Sequence, residues 1–261
     1  MSRVAVVTGA ARGIGAAVVD TLVEDGYRVV AVDRCRDLPG VPYPMATPAD
    51  LDAVVARHGD AVLGLVGDVR SATDMDLAVE TAVRHFGHLD AVVAAAGVVA
   101  GGGPLWLVDD AALDACWSVN VLGVRRLVGA AVPALIERGA ANHPRVVAIA
   151  SAAGTLGLRH LAAYSAAKHA VVGLVKGLAM DLAEHGVTAN TVSPGSTRTA
   201  ALEASARVYG LSDPQAFAAQ QPLGRLLEPA EVASAVAWLC SPAASGVTGA
   251  DLRVDAGMTV A

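Results

Sequence analysis

Apolar residues follow two rhythms along this chain. Short runs at Arg3–Thr8, Val29–Val32, Val62–Val66, Ala91–Ala95 and Val146–Ile149 are mostly apolar, and Val187–Val192 and Asp251–Val254 are short runs that mix apolar with polar residues. Such runs read as strands buried on both faces, as in a parallel sheet. Between them lie longer stretches whose apolar positions recur every three or four residues, the mark of a helix with one buried face. Ile14, Val18, Val19, Leu22 and Val23 make such a face on a helix ending at Gly26. Thr47 and Asp50 around Pro48 signal a capped helix start, and that helix ends near His58 and Gly59. Further helices are predicted from Ser71 to Phe86, from about Ala111 to Arg138 with an interruption near Asn120, along the segment holding Tyr164, and from Pro229 to Cys240. Thr199 to Gln221 reads as a polar, small-residue helical excursion with a second start at Asp213–Pro214. Strands alternating with helices predict an α/β fold: a doubly wound parallel sheet of the Rossmann type, about seven strands between two helical layers. The chain reads as one domain over 1–261, with a substrate lid at about 196–225.

Composition narrows the picture. The chain is 54% apolar but only 3% aromatic, so its core is built from Ala, Val and Leu packed closely. With a net charge of −6 and no basic patch, it offers nothing to nucleic acid. Cys35, Cys116 and Cys240 are scattered, and the seven histidines show no metal-ligand spacing. No signal peptide is apparent, and no unbroken apolar run reaches the roughly 18 residues of a membrane span, so a cytoplasmic protein is expected.

Chemistry enters at the end of the fifth strand. Ser151 follows Val146–Ile149 directly, and Tyr164 and Lys168 lie four apart in an alanine-rich helical segment. That spacing puts phenol and ammonium on one face. Lys168 is one of only two lysines, where arginine supplies nearly all other positive charge. A unit charge about 4–5 Å away at an effective dielectric near 20 is worth roughly 3–4 kcal/mol, two to three pKa units of a tyrosine that otherwise titrates near 10. Lys168 is therefore expected to pull Tyr164 toward neutrality as a proton-transfer group.

A second constellation lies near the N-terminus. Gly9, Gly13 and Gly15 form G-x-x-x-G-x-G between a strand and a helix, where bare backbone can approach a pyrophosphate and the helix dipole can hold its charge. Asp33 ends the second strand, where a carboxylate accepts from the adenosine ribose hydroxyls and repels a 2′-phosphate. NAD is expected over NADP, with Arg12 and Arg34 as the residues that argue the other way. Asp68 and Val69 end the third strand where an adenine ring would rest.

Together these residues resemble the short-chain dehydrogenase/reductase family over essentially the whole chain. The motifs are Thr8–Gly15, Asp68–Val69, Asn120, Ser151, Tyr164 to Lys168 and Pro194–Gly195, in the family's order. The resemblance implies a catalytic tetrad of Asn120, Ser151, Tyr164 and Lys168. In it Tyr164 exchanges the alcohol proton, Ser151 holds the substrate oxygen, Lys168 binds the nicotinamide ribose, and Asn120 holds a relay water. It also implies cofactor contacts at Ile14, Ala95, Gly97, Pro194, Gly195, Thr197 and Thr199, the last reaching the carboxamide, and a homotetramer. Ala94–Ala95–Ala96–Gly97 departs from the family's usual Asn-Asn-Ala-Gly, so the end of the fourth strand is expected to be held differently.

Within the family the chain is most similar to the mycofactocin-dependent oxidoreductases of actinobacteria, on Asp33–Val55, Ala150–Ala179, Ser193–Thr199 and Leu223–Ser245. This implies an oxidoreductase moving a hydride between a secondary alcohol or ketone and NAD that stays bound and is reoxidised by mycofactocin. A 3-ketoacyl-thioester reductase of the same fold and a catalytically silent nucleotide-sensing protein stand as alternatives. Trp106, Leu107, Leu202 and Tyr209 are candidate pocket walls.

Overall fold

The computed structural model describes residues 2–260. Seven parallel strands form one sheet: β1 (Val4–Thr8), β2 (Arg28–Asp33), β3 (Val62–Val66), β4 (Ala91–Ala94), β5 (Arg145–Ile149), β6 (Thr188–Pro194) and β7 (Asp251–Val254). Their order is β3-β2-β1-β4-β5-β6-β7. The order reverses between β1 and β4, and a doubly wound sheet opens its binding crevice at that switch point, beyond the strand C-termini.

Helices cover both faces: α1 (Gly13–Glu24), α2 (Pro48–His58), α3 (Ala72–Phe86), α4 (Asp110–Cys116), α5 (Leu122–Arg138), α6 (Ala162–Leu182), α7 (Ala200–Val208) and α8 (Pro229–Cys240). The two-residue period of the strands sorts the core into two layers. Val4 and Val6 point toward Leu127, Leu135 and Val171, whereas Ala5 and Val7 point toward Val18, Leu22, Val232 and Val236. The small side chains that dominate both layers let helices lie close on the sheet.

Local signals explain the boundaries. Thr47 and Asp50 form a reciprocal capping box on α2, with Pro48 at its first position. Ser71 caps α3, and Gly87 in the left-handed region ends it. The long helical stretch between β4 and β5 is broken, as expected, where α4 passes through a π turn at Trp117–Val121 before α5 begins. From Asp110 to Arg138 this stretch is long and apolar enough by composition to cross a bilayer, although no single unbroken run suggested it. Much of its apolar surface, including Leu127, Ala131 and Leu135, packs in the core.

The irregular segment between β2 and α2, residues 34–47, is an ordered strap. Arg34 donates to the carbonyl oxygens of Arg36 and Asp37. The Asp37 carboxylate accepts the Met45 N–H at 2.9 Å, and the Pro44 carbonyl accepts from Arg12 at 2.8 Å. Leu38, Tyr43 and Ala46 are buried beneath it.

Candidate active site

One continuous cleft runs across the switch point. Gly9, Gly13 and Asp33 lie along one part of it, and Ser151, Tyr164 and Leu202 along another. At the first of these, Gly9 (φ 68°) and Gly13 (φ 59°) adopt conformations that favour glycine. A Cβ on Gly9 would fall 2.6 Å from the Ala96 Cα, and one on Gly13 would meet the Thr199 methyl at 3.3 Å. The bare turn thus lets three chain segments converge. Helix α1 starts without a side-chain cap and without an acidic residue in its first turn. Its leading N–H groups and its dipole are open to an anion, so the residues present fit a dinucleotide pyrophosphate.

Asp33 is buried at the end of β2 and held by two backbone donors, Ala11 N–H at 3.1 Å and Cys35 N–H at 3.2 Å. The two arginines that spoke for a 2′-phosphate are otherwise engaged. Arg12 reaches the Pro44 carbonyl, and Arg34 lies 3.0 Å from the Asp68 carboxylate. Arg70 grips the same carboxylate through two nitrogens, and this, with the Arg70 N–H, keeps Asp68 below the usual carboxylate range despite its burial. Asp68 and Val69 both line the cleft beside Asp33.

At the chemical end, Ser151 leaves β5 and its hydroxyl oxygen accepts the Ala153 N–H at 3.1 Å. Tyr164 and Lys168 rise from the first turns of α6, and Tyr164 lines the same cleft as Ser151. Lys168, only 4% exposed, donates from Nζ to the Ile149 carbonyl at 2.8 Å. Its Nζ stands 5.8 Å from the centre of the Tyr164 ring. The expected depression of the phenol by the ammonium is therefore corrected. Burial pushes Tyr164 up to about 12, the Ser151 hydroxyl working in the opposite sense. Burial also brings Lys168 down to about 8. Spacing alone missed the desolvation that both groups pay before their mutual attraction counts.

Asn120 sits in the π turn, 1% exposed, and its amide pairs with one neighbour. Its Oδ1 accepts the Val98 N–H at 2.9 Å and its Nδ2 donates to the Val98 carbonyl at 3.0 Å. The side chain thus clamps the loop after β4, a positioning task beside the relay water that the resemblance implied. A Cβ on Gly97 would lie 3.2 Å from the Asn120 Oδ1 and 3.4 Å from the Lys168 Nζ, so the bare Gly97 lets the loop pass between them. With Ala95 in place of an amide side chain, the segment after β4 is held by the Asn120 clamp and by the Ala96 N–H, which reaches the Thr8 hydroxyl at 3.4 Å.

Beyond β6, the Thr197 hydroxyl donates to the Gly195 carbonyl and the Thr199 hydroxyl to the Thr197 carbonyl, and Thr199 caps α7. Ile14, Ala95, Gly97, Pro194, Gly195, Thr197 and Thr199 all border the cleft. Leu202 and Tyr209 wall its chemical end, as expected. Trp106 and Leu107 do not; they are 83% and 73% exposed on a short turn beyond the cleft. Sequence reasoning missed Tyr43, Leu158, Leu161 and Phe217, which do line it. They come from separate loops with no shared period, so only the fold brings them together.

Comparison with known proteins follows this geometry. The family model described as enoyl-(acyl carrier protein) reductase matches residues 9–259. An uncharacterised oxidoreductase of Mycobacterium tuberculosis is 39% identical over 267 residues, covering 98% of this chain and 95% of the relative. The chain belongs to the short-chain dehydrogenase/reductase family. Another relative of this dehydrogenase/reductase, the cis-4-hydroxycyclohexanecarboxylate dehydrogenase of Sinomonas cyclohexanicum, is 38% identical, covering 98% of the chain and 96% of the relative. Among solved structures, the carveol dehydrogenase of Mycobacterium avium in complex with NAD superposes with a TM-score of 0.93 at 28% identity, covering 99% and 98% of the two chains. The protein is an oxidoreductase that acts on CH–OH groups with NAD.

Proposed function

We propose that this enzyme oxidises a neutral secondary alcohol on a hydrocarbon ring, or reduces the matching ketone. The observation that carries the reading is the placing of Ser151 and Tyr164 together on a cleft whose adjoining walls are Leu158, Leu161, Leu202, Tyr209 and Phe217. Those walls suit a ring and offer no charged partner, and a relative named for a hydroxycyclohexanecarboxylate supports the ring alcohol, while the apolar walls favour a neutral one. NAD supplies the hydride acceptor when bound. Tyr164, a neutral phenol before the dinucleotide binds, gives its proton to the oxygen in reduction. In oxidation it takes the alcohol proton, where a positive nicotinamide ring nearby favours its phenolate. Ser151 holds the substrate oxygen, and Lys168, fixed to Ile149, steadies the ribose side. Asn120 keeps the loop at Val98 in place, and the segment at about 196–225 acts as the substrate lid. The ordered strap beside Asp33 supports retention of NAD between turnovers; mycofactocin as the electron acceptor and a cytoplasmic homotetramer complete the reading on family resemblance alone.

Protein purified without added nucleotide and then denatured tests this directly. Released NAD, together with oxidation of ring alcohols only when an artificial acceptor is supplied, is the expected result. An empty protein that frees NADH readily would remove the retained cofactor and mycofactocin from the reading; inactivity on every ring alcohol would remove the substrate class. A ketoacyl-thioester reductase is the second reading, favoured by the exposed Arg159 and Arg207 beside the lid. It predicts preferential turnover of acyl thioesters with NADPH.

A further inference from the structure

The strap that follows Asp33 does more than border the nucleotide. Gly40 (φ 81°) lies so close to the start of α4 that a Cβ there would sit 2.8 Å from the Ala111 carbonyl carbon. Pinned at that point and at Arg12, the strap delivers Tyr43 to the other part of the cleft. Tyr43 is 6% exposed, and its hydroxyl accepts the Val99 N–H at 3.1 Å. Its ring packs in a cluster with Val99, Leu161 and Ala204, against which Leu158, Tyr164 and Tyr209 also pack. These neighbours belong to the loop after β4, the entry to α6 and the lid helix α7, the three pieces that surround the reacting alcohol.

We infer that Tyr43 is a specificity-determining residue, the wall that limits how large a ring can stand before Ser151 and Tyr164. The inference rests on the ring-alcohol reading of the same site. A rigid aromatic plate held at both its ring and its hydroxyl cannot move aside for a bulkier substrate as an aliphatic side chain can. It is also neutral, since burial raises its pKa, the Val99 N–H acting in the opposite direction. A charged substrate gains nothing from it, whereas a hydrocarbon ring gains a flat apolar contact. The segment beside the dinucleotide thereby also shapes the substrate end.

The test compares wild type, Tyr43→Phe, Tyr43→Leu and Tyr43→Ala on cyclohexanol and 4-alkylcyclohexanols of increasing length, with NAD affinity measured separately by fluorescence. Tyr43→Ala is expected to raise KM for the smallest ring about tenfold or more with kcat changed less than threefold, and to move the best substrate to a longer alkyl group. Tyr43→Leu should move it part of the way; Tyr43→Phe should keep the size order and raise KM a few-fold. NAD affinity should stay within about twofold. A size order identical to wild type in all three variants, or a loss confined to NAD affinity, would overturn the inference. If wild type oxidises none of these alcohols, the ring-alcohol reading fails by itself. The matching ring ketones, titrated into NADH-loaded wild type and variants by calorimetry, then decide whether Tyr43 sets the size order of bound ligands.

Discussion

The Lys168 Nζ donates to the carbonyl oxygen of Ile149, the last residue of β5, at 2.8 Å. The ammonium is thereby fixed from outside its own helix, at the strand end from which Ser151 follows. Helix α6 and β5 are tied together at the site, and the tie depends on a long, slender side chain passing Gly97. Lys168→Met removes the donor and the charge, and Lys168→Arg brings a guanidinium too broad for the same channel. Both should lower kcat/KM for alcohol oxidation by about 100-fold or more, near 2.7 kcal/mol in transition-state terms. Steady-state kinetics decides it, and an arginine variant within threefold of wild type would show that position and size of the cation are immaterial.

Asp33 offers a prediction about the cofactor. Two backbone donors hold its carboxylate still, so it cannot swing away from a 2′-phosphate. Asp33→Ala should weaken NAD binding about tenfold, roughly 1.4 kcal/mol, and narrow the preference over NADP. Because Arg34 stays on Asp68, the variant should gain only modest NADP affinity. Freeing Arg34 as well, in Asp33→Ala/Asp68→Ala, should raise it further. Equilibrium titration of both nucleotides would expose an error if the single variant bound NADP better than the double.

What the sequence shows and what it hides divide along physical lines. Strands buried on both faces and helices with one apolar stripe declare themselves by period, so β1 to β7 and the capping box of α2 are legible in advance. The glycine turn is legible because backbone approach needs glycine, and Ser151, Tyr164 and Lys168 because their chemistry is tied to residue type and short spacing. Electrostatics is less so: the Tyr164–Lys168 spacing suggests attraction, while burial, which no spacing encodes, sets the direction for both groups. The π turn keeps Asn120 at the predicted break, yet its two hydrogen bonds to Val98 depend on where a loop from another strand passes. Tyr43 shows the same limit, since a tyrosine between two prolines carries no period and reads as loop.

The Asn120 clamp can be tested by stability. Replacing the amide by a methyl leaves the Val98 N–H and C=O without their partner in a buried setting. Two such losses cost about 2–6 kcal/mol in sum, or at least several degrees in Tm for a domain of this size. Asn120→Asp retains an acceptor for the N–H but sets a carboxylate against the carbonyl, so it should be no milder than alanine. Calorimetry would refute the clamp if Asn120→Ala melted within a degree of wild type.

The pH dependence follows from the two buried groups, with opposite signs. Lys168 titrates near 8 in the folded chain against 10.5 for the free group. Between those values the folded state carries fewer protons, so this group's contribution to stability becomes more favourable as pH rises from about 8 to 10.5. Tyr164 is raised from 10 to about 12, so its contribution is present in full below pH 10 and lost as pH rises through 12. Urea unfolding of wild type and Lys168→Met should therefore diverge in slope between pH 8 and 10, wild type gaining relative to the variant. Parallel slopes would mean that Lys168 keeps its proton in the folded state. The same protein without added nucleotide should show almost no phenolate absorbance below pH 10, because burial raises all four tyrosines, Tyr27, Tyr43, Tyr164 and Tyr209. A phenolate signal near pH 8 would mean that the attraction between Tyr164 and Lys168 outweighs their desolvation after all.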